Sequence, residues 1–252
     1  MLDVLHSLTR AAQSPYTRDI QSQNLVSTAL TCQQGWEKSI RKDSASFIKA
    51  LFSYQIMSRT SCELCKAARR SEGGEIKVDP FSVLDVAIPP QSEDKTLSQL
   101  LLNQFGVQAV DDFRCEDCGQ KGHVTKEYYL SRLPTYLIVQ LSRFAGNQET
   151  SKILQFIDFP LRGLDLQPVV HPALRSSVTG LYDCIATIEH IGMTLESGHY
   201  KANVKCDVGD QAGGWIEYSD EILTRYAEEE IVVSKYLLLS MYDIPLNKME
   251  FT

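Results

Sequence analysis

Two Cys-x-x-Cys pairs, Cys62 with Cys65 and Cys115 with Cys118, constrain this chain more than any other feature. Two residues between the thiols allow both sulfurs of a pair to approach one tetrahedral ion at about 2.3 Å. Four thiolates complete the coordination sphere and leave no position for water, so the pattern predicts one structural zinc ion. The alternative is a pair of redox dithiols, but both pairs lie in polar, turn-like sequence unlike a thioredoxin strand–helix junction.

The separation between the two pairs is also informative. Residues 66–114 lie between them, far more than the roughly 15–20 residues of a zinc ribbon. The long segment between the two pairs must therefore fold back so that both pairs reach the same ion.

Composition limits the classes of function. The 252 residues are 43% hydrophobic and 23% charged, as in ordinary globular proteins. A net charge of −7 argues against a general nucleic-acid binder. Apolar runs fall short of the ~20 residues that span a bilayer, so we expect no membrane partner. Four of seven cysteines occur in metal-type pairs, which favours a reducing compartment, the cytosol or the nucleus.

Apolar periodicity predicts a mixture of strands and short helices. The apolar stripe of Met1–Ser7 predicts a helix without a preceding cap, and residues 14–45 are expected to be mostly loop. Thr96, with Gln99 three residues later, predicts a capped helix over 97–105 that Gly106 ends. A second short helix is predicted over 220–226. A short element over 46–57 is predicted to lead into a strand that reaches Cys62. The other predicted strands are residues 77–88, 124–130, 136–141 (a buried central strand), 181–190, 199–204 and 235–242, and a loop over 207–214 is predicted to join one of them to the segment 215–218.

His199, in the segment Ser197-Gly198-His199-Tyr200, is the candidate catalytic histidine. Taken alone it is a weak signal, because most histidines at strand starts are structural or solvated. Gly198 permits close approach of the backbone, which suits a narrow substrate channel and equally suits a tight turn.

Further segments accompany this one in a fixed order: Leu133–Phe144, Phe159–Leu161, Tyr182-Asp183, Trp215–Asp220 and Tyr236–Leu239. With the two cysteine pairs upstream, this order resembles the papain-like ubiquitin-specific protease family of deubiquitinases over residues 46–242. The resemblance implies an α+β, hand-shaped fold of mostly antiparallel fingers and palm with an incomplete helical thumb. Residues 1–45 would be a remnant of the thumb, 46–132 the fingers with the zinc-bearing cysteines, and 133–252 the palm.

The resemblance also implies chemistry. The fingers would grip ubiquitin or ubiquitinated proteins, and Gly198 and Tyr200 would contact the substrate. His199 would be the general base that takes the proton of a thiol, and the resulting thiolate would attack the peptide or isopeptide carbonyl of ubiquitin's last glycine. Where the family usually has Asp or Asn to orient the histidine, this chain has Ser219, so we expect the next residue, Asp220, to take that role. The alternative for both residues is capping of the predicted helix.

The family's nucleophile box, Asn-x-x-Asn-x-Cys-Tyr, has no counterpart in this sequence, and the resemblance begins partway through the domain. Neither Cys32, Cys184 nor Cys206 has the surroundings of an activated thiol, and none is expected to replace it. Three interpretations stay open: an incomplete chain of a deubiquitinase, a natural non-catalytic relative that binds ubiquitin, and a zinc-stabilised domain unconnected with ubiquitin.

Overall fold

The computed structural model describes residues 51–64, 75–89, 96–115, 118–144, 152–194, 197–206, 213–230 and 234–245. Some of the predictions therefore lie outside the described residues: the helix at Met1–Ser7, the loop 14–45 with Cys32, the start of the element at 46–57, most of the loop 207–214, and Cys65. No helix among the described ranges is long and apolar enough to cross a bilayer.

The described elements are twelve strands and one α-helix, joined by loops and three short 3-10 turns. In chain order they are β1 Tyr54–Cys62, β2 Glu75–Phe81, β3 Leu84–Ala87, α1 Leu97–Gln104, β4 Gly106–Val110, β5 Val124–Arg132, β6 Tyr136–Ser142, β7 Leu164–Asp165, β8 Leu181–Ile191, β9 His199–Cys206, β10 Gly214–Ser219, β11 Ile222–Tyr226 and β12 Leu237–Asp243.

The strands form two sheets. The smaller sheet is antiparallel, with strand order β2-β1-β5-β4. The larger sheet has the order β11-β10-β9-β8-β12-β6-β3, and β7 pairs with β8 beside it. Within the larger sheet only the β3–β6 pairing is parallel. The expected α+β class, dominated by antiparallel strands, is confirmed.

Helix α1 forms as the capping residues predict. The hydroxyl of Thr96 accepts a hydrogen bond from the backbone N–H of Gln99 (3.2 Å) and donates to Oε1 of the same residue (2.9 Å). Gly106 has a φ of +100°, a conformation that favours glycine, and there the chain leaves the helix and enters β4. The buried face of α1 joins the main core through Leu97, Leu100 and Leu101.

Strand β6 lies inside the larger sheet, between β12 and β3. Leu137, Val139 and Leu141 are buried, while the residues between them are partly exposed. The predicted buried strand is therefore confirmed as an inner strand, with one face in the core.

Arg143, immediately after β6, is a buried clamp between segments. Its Nε donates to the carbonyl of Leu237 at 2.5 Å, and its Nη1 donates to the carbonyls of Ile153 and Gln155, each at 2.8 Å. The side chain is fully buried, and this burial lowers the pKa of the guanidinium to about 10. One side chain thus joins the end of β6, the start of β12 and the segment around residue 154.

The prediction of one strand over residues 77–88 is wrong. The chain forms β2 in the smaller sheet, bends at Ser82 and Val83, and then forms β3 in the larger sheet. The hydroxyl of Tyr54 donates to the carbonyl of Val83 at 3.0 Å and helps to hold this bend.

The prediction of a helix over 220–226 is also wrong. Ser219 ends β10, Asp220 and Glu221 form a two-residue turn, and Ile222 begins β11, which pairs antiparallel with β10. Asp220 has a φ of +53°, in the left-handed region where Asp is one of the more tolerant residues. Because no helix follows them, Ser219 and Asp220 are not helix caps.

Candidate functional site

His199 is the first residue of β9 and pairs with Ile191 at the end of β8. Its Nε2 lies 2.7 Å from Oγ of Ser219, the last residue of the neighbouring strand β10. Since both residues sit on paired strands rather than in long loops, the sheet itself holds this hydrogen bond in place.

Asp220 approaches the other nitrogen of the same ring. Its Oδ2 lies 3.8 Å from Nδ1 of His199, beyond hydrogen-bonding distance, and its side chain is 82% exposed. The sequence favours Asp220 over Ser219 for orienting the imidazole, but the two residues face different nitrogens of the ring. The hydrogen bond belongs to Ser219, whereas the carboxylate of Asp220 adds a screened negative charge beside Nδ1.

A row of charged residues, Glu189, Lys201 and Glu217, lies on the three strands β8, β9 and β10, and the sequence motifs do not predict it. Nζ of Lys201 lies 3.1 Å from a carboxylate oxygen of Glu217 on β10. On β8, Glu189 pairs in register with Lys201. Burial is the main reason that the pKa of the Glu189 carboxyl is raised, and the negative charge of Glu217 adds to it. The signal for this row is that Lys201 and Glu217 are each two residues from a site residue on their own strand, and residues two apart lie on the same face of a sheet.

Gly198 and Tyr200 flank the histidine as the sequence requires. Tyr200 is 58% exposed, and its ring centroid lies 4.7 Å from that of His190 on β8. The backbone of Gly198 lies directly against the imidazole of His190. His190 is a second histidine at this site that the sequence analysis did not identify.

The second cluster consists of cysteines at one end of the smaller sheet. The sulfurs of Cys62, Cys115 and Cys118 all lie within 4.8 Å of one another. Those of Cys62 and Cys118 are 3.8 Å apart. Two thiolates bound to one tetrahedral zinc at about 2.3 Å are separated by roughly 3.8 Å, so the donor set fits such an ion. Cys65, the fourth predicted ligand, lies outside the described residues.

Backbone hydrogen bonds shape the turn that presents Cys115 and Cys118. The N–H of Cys115 donates to the carbonyl of Gln120 (2.9 Å), and the N–H of Gly119 donates to the carbonyl of Cys115 (2.8 Å). Gly119 has a φ of +70°, which favours glycine. Cys62 pairs with Val124 in the β1–β5 ladder, and this pairing brings the two cysteine segments together.

The two described cysteines of the larger sheet lie far from His199. Cys206 ends β9, eight residues long, which places it roughly 23 Å from the first residue of that strand. Cys184 lies near the start of β8, whereas the partner of His199 lies at its end. Burial raises the pKa of the Cys184 thiol to about 12. Neither thiol is placed to react with the help of this imidazole.

Fold and site together define an α+β protein with a strand-borne histidine site and a separate thiol cluster. The family model described as ubiquitin carboxyl-terminal hydrolase matches residues 1–242. The chain belongs to the ubiquitin carboxyl-terminal hydrolase family.

Individual relatives agree with this assignment. The chain is 27% identical over 212 residues to human ubiquitin carboxyl-terminal hydrolase 3, a match that covers 78% of this chain and 39% of the relative. It is 26% identical over 244 residues to ubiquitin carboxyl-terminal hydrolase Usp2 of Drosophila melanogaster, covering 96% of this chain and 24% of the relative. The chain thus spans well under half the length of these two relatives.

Solved structures show the same fold. A structure of the yeast SAGA DUBm with a point mutant of Sgf73 matches with a TM-score of 0.64 and 25% identity, covering 78% of this chain and 41% of the other. The SAGA Ubp8/Sgf11/Sus1/Sgf73 DUB module bound to ubiquitin aldehyde matches with a TM-score of 0.63 and 24% identity, covering 78% and 42%.

Proposed function

We propose that this chain is the fingers-and-palm part of a thiol-dependent ubiquitin hydrolase, with His199 as its general base. The observation that carries the proposal is the 2.7 Å contact between Nε2 of His199 and Oγ of Ser219. The contact occurs in a chain whose family is defined by hydrolysis at the carboxyl terminus of ubiquitin. It supplies the orientation that a catalytic imidazole needs.

The chemistry follows from the two ring nitrogens. When the Nε2–H of His199 donates to Ser219, the lone pair of Nδ1 is available to take a proton from an attacking thiol. The thiolate then attacks the carbonyl carbon of ubiquitin's last glycine, and the imidazolium gives its proton to the leaving amine as the carbon–nitrogen bond breaks. Water, deprotonated by the same imidazole, hydrolyses the resulting thioester, which releases the ubiquitin carboxylate and restores the thiol. The exposed carboxylate of Asp220 lies 3.8 Å from the nitrogen that takes the proton.

We further propose that the cysteine cluster holds one structural zinc ion, with Cys65 as the fourth ligand beside Cys62, Cys115 and Cys118. The 3.8 Å separation of two sulfurs supports this assignment. When bound, zinc would join the end of β1 to the turn before β5. Cysteines bind the metal as thiolates and not as disulfides, so the proposal favours a reducing compartment, the cytosol or the nucleus.

The division into domains is proposed on the same basis. Strands β1, β2, β4 and β5 make the smaller sheet and fall within residues 46–132, which we assign to the fingers. Strands β6 to β12 fall within 133–252, which we assign to the palm. Strand β3 departs from this division, since it pairs with β6 in the larger sheet. Ubiquitin, or a ubiquitinated protein, is the proposed partner of both parts.

A second function, ubiquitin binding without hydrolysis, is supported by a separate observation. The Ser219 hydroxyl orients the imidazole but brings no charge to stabilise imidazolium, and neither Cys184 nor Cys206 lies near His199. A chain with this arrangement keeps a surface for ubiquitin while the described residues supply no thiol to the base.

Two measurements on the same preparation test both functions. Titration calorimetry with ubiquitin measures binding, and intact mass after incubation with ubiquitin carrying a C-terminal electrophile measures thiol competence. An adduct of one ubiquitin mass that His199→Ala slows supports the hydrolase. Binding without an adduct supports the non-catalytic function for this chain. Absence of both binding and adduct contradicts both proposals.

A further inference from the structure

We propose that His190 is a positioning residue: its imidazole is the surface against which the backbone of Gly198 packs, and this contact sets where His199 enters β9. The inference deepens the proposed function, because it depends on His199 being the base. His190 lies in β8 in register with Tyr200, one residue beyond the pair formed by Ile191 and His199.

The steric evidence is the closeness of Gly198 to the ring. A Cβ atom on Gly198 would overlap Nε2 of His190 and would lie 2.9 Å from both Cδ2 and Cε1. The φ of Gly198 is outside the left-handed region, so its backbone conformation accepts an L residue. Glycine is therefore required here by the imidazole rather than by the backbone.

Gly192, which follows β8, also lies close to the ring of His190 and to Gly198. A Cβ atom on Gly192 would lie 3.1 Å from Cε1 of His190, 2.9 Å from Cα of Gly198 and 2.5 Å from the carbonyl oxygen of Ser197. The two arms of the turn therefore approach each other at the edge of one ring. A shift of that ring would move the residue immediately before His199.

Lys152 holds the ring in one orientation. It is 6% exposed, and its Nζ lies 3.3 Å from Nδ1 of His190 and donates to the backbone carbonyl of the same residue. A charged ammonium has only donors, so Nδ1 must accept and the ring proton must be on Nε2, the atom that faces Gly198. The backbone N–H of Lys152 also donates to the carbonyl of Met193 at 3.1 Å, in the first arm of the turn.

The surroundings of His190 favour the neutral form of the ring. Burial, and then the charge of Lys152, lower the pKa of the imidazole. Burial, and then the charge of Arg143, lower the pKa of Lys152, and the charge of Glu189 raises it. The ring centroids of Tyr200 and Phe144 lie 4.7 and 6.3 Å from that of His190. The ring centroid of Tyr236 lies 5.4 Å from the Lys152 ammonium. A protonated ring would place two cations 3.3 Å apart.

A double-mutant cycle tests the contact. Gly198→Ala and His190→Ala are made singly and together, and the urea midpoint of each variant is measured. Because removal of the ring makes room for the new methyl group, we expect Gly198→Ala to lower the midpoint much less in the His190→Ala background than in the wild type. The matched control is Gly192→Ala, whose methyl group meets the backbone of Ser197; His190→Ala should not relieve it.

Amide hydrogen exchange distinguishes positioning from general stability. In His190→Ala we expect amides of the described turn residues 192–194 and 197–200 to exchange at least about tenfold faster, with β12 amides unchanged. Uniform acceleration across both regions, or a cycle that is additive, overturns the proposal. Neither measurement uses ubiquitin, so an additive cycle with intact ubiquitin binding counts against His190 alone. Failed ubiquitin binding with a coupled cycle counts against the proposed function alone.

Discussion

The Ser219 hydroxyl contacts Nε2 of His199 at 2.7 Å and leaves Nδ1 on the opposite side of the ring. The neighbouring carboxylate of Asp220 lies on that opposite side, 3.8 Å from Nδ1. The Ser219 hydroxyl can hold the ring by a hydrogen bond, whereas the charge of the exposed Asp220 carboxylate is screened by solvent. The hydrogen bond and the nearby carboxylate are therefore divided between the two nitrogens of one ring.

This division predicts different effects for two substitutions. Ser219→Ala removes the partner of Nε2, so the proton should redistribute between the two nitrogens of His199, whereas Asp220→Asn should leave the Nε2 environment unchanged. Long-range proton–nitrogen spectra of histidine-labelled protein measure the two nitrogens separately. Equal changes in both variants, or none in Ser219→Ala, would contradict the assignment of the hydrogen bond.

The cysteine cluster predicts one bound zinc per chain. Cys62→Ser and Cys115→Ser should each lose the metal, since each removes one thiolate from a closed set. Zinc binding contributes on the order of 10–16 kcal/mol in small metal-folded domains, so we expect the cysteine turn to lose order while the larger sheet persists. Metal analysis of freshly purified, reduced protein is the measurement, and Cys184→Ser, in the larger sheet, is the control that should keep its zinc.

The Arg143 clamp predicts a large loss of stability on substitution. Arg143→Met removes the charged donor from one buried and two partly buried hydrogen bonds to carbonyl groups, so the free energy of unfolding should fall by about 3 kcal/mol. Arg162→Met is the matched control, because that guanidinium is exposed and pairs with Glu228 at the surface. Urea unfolding followed by circular dichroism compares them, and equal losses would show that the clamp is not a special contact.

His171 predicts an acid-sensitive contribution to stability. Burial, with nearby Arg175 and Arg59, lowers the pKa of its imidazole to about 4. The unfolded chain binds this proton near pH 6.5, so stability is complete above that pH and falls as the pH drops toward 4. At pH 4.5 the loss from this residue should be about 2 kcal/mol.

The matched variant for this prediction is His171→Asn. An Asn oxygen can replace Nδ1 as the acceptor of the Ala173 N–H, but it does not titrate. The difference in unfolding free energy between pH 7 and pH 4.5 should therefore be smaller in the variant by that amount. An identical pH dependence in the two proteins would show that His171 is not the source.

Local signals predicted those parts of the fold in which local and tertiary preferences agree. Helix α1 begins directly after its cap Thr96 and ends before Gly106 because cap and stop residues act within one turn of the chain. The prediction of a single strand over residues 77–88 is wrong because the apolar alternation continues through a bend. At that bend the chain passes from the smaller sheet to the larger one. The helix prediction for residues 220–226 is wrong because it assumed that their apolar side chains pack against a core. Ile222 and Leu223 are instead 66% and 63% exposed.

The candidate site was predicted unevenly for similar reasons. His199 was identified from its motif, and Ser219 from its position after Trp215, because both signals are contiguous in sequence. The division of Ser219 and Asp220 between two nitrogens depends on a turn with positive φ, which the sequence analysis had assigned to a helix. Lys152 and His190 meet only through tertiary packing, and their sequence neighbourhoods carry no motif for that contact.

The pairing of Cys62 with Val124 joins cysteine segments that are far apart along the chain. A zinc ribbon gathers its ligands by closing one short loop, so the metal can nucleate that structure. Here we expect the sulfurs to converge only once β1 and β5 have aligned across a long loop, because closing such a loop is slower than closing a short one. An ion would thus be captured late, locking a sheet already built and contributing to slow unfolding more than to fast assembly.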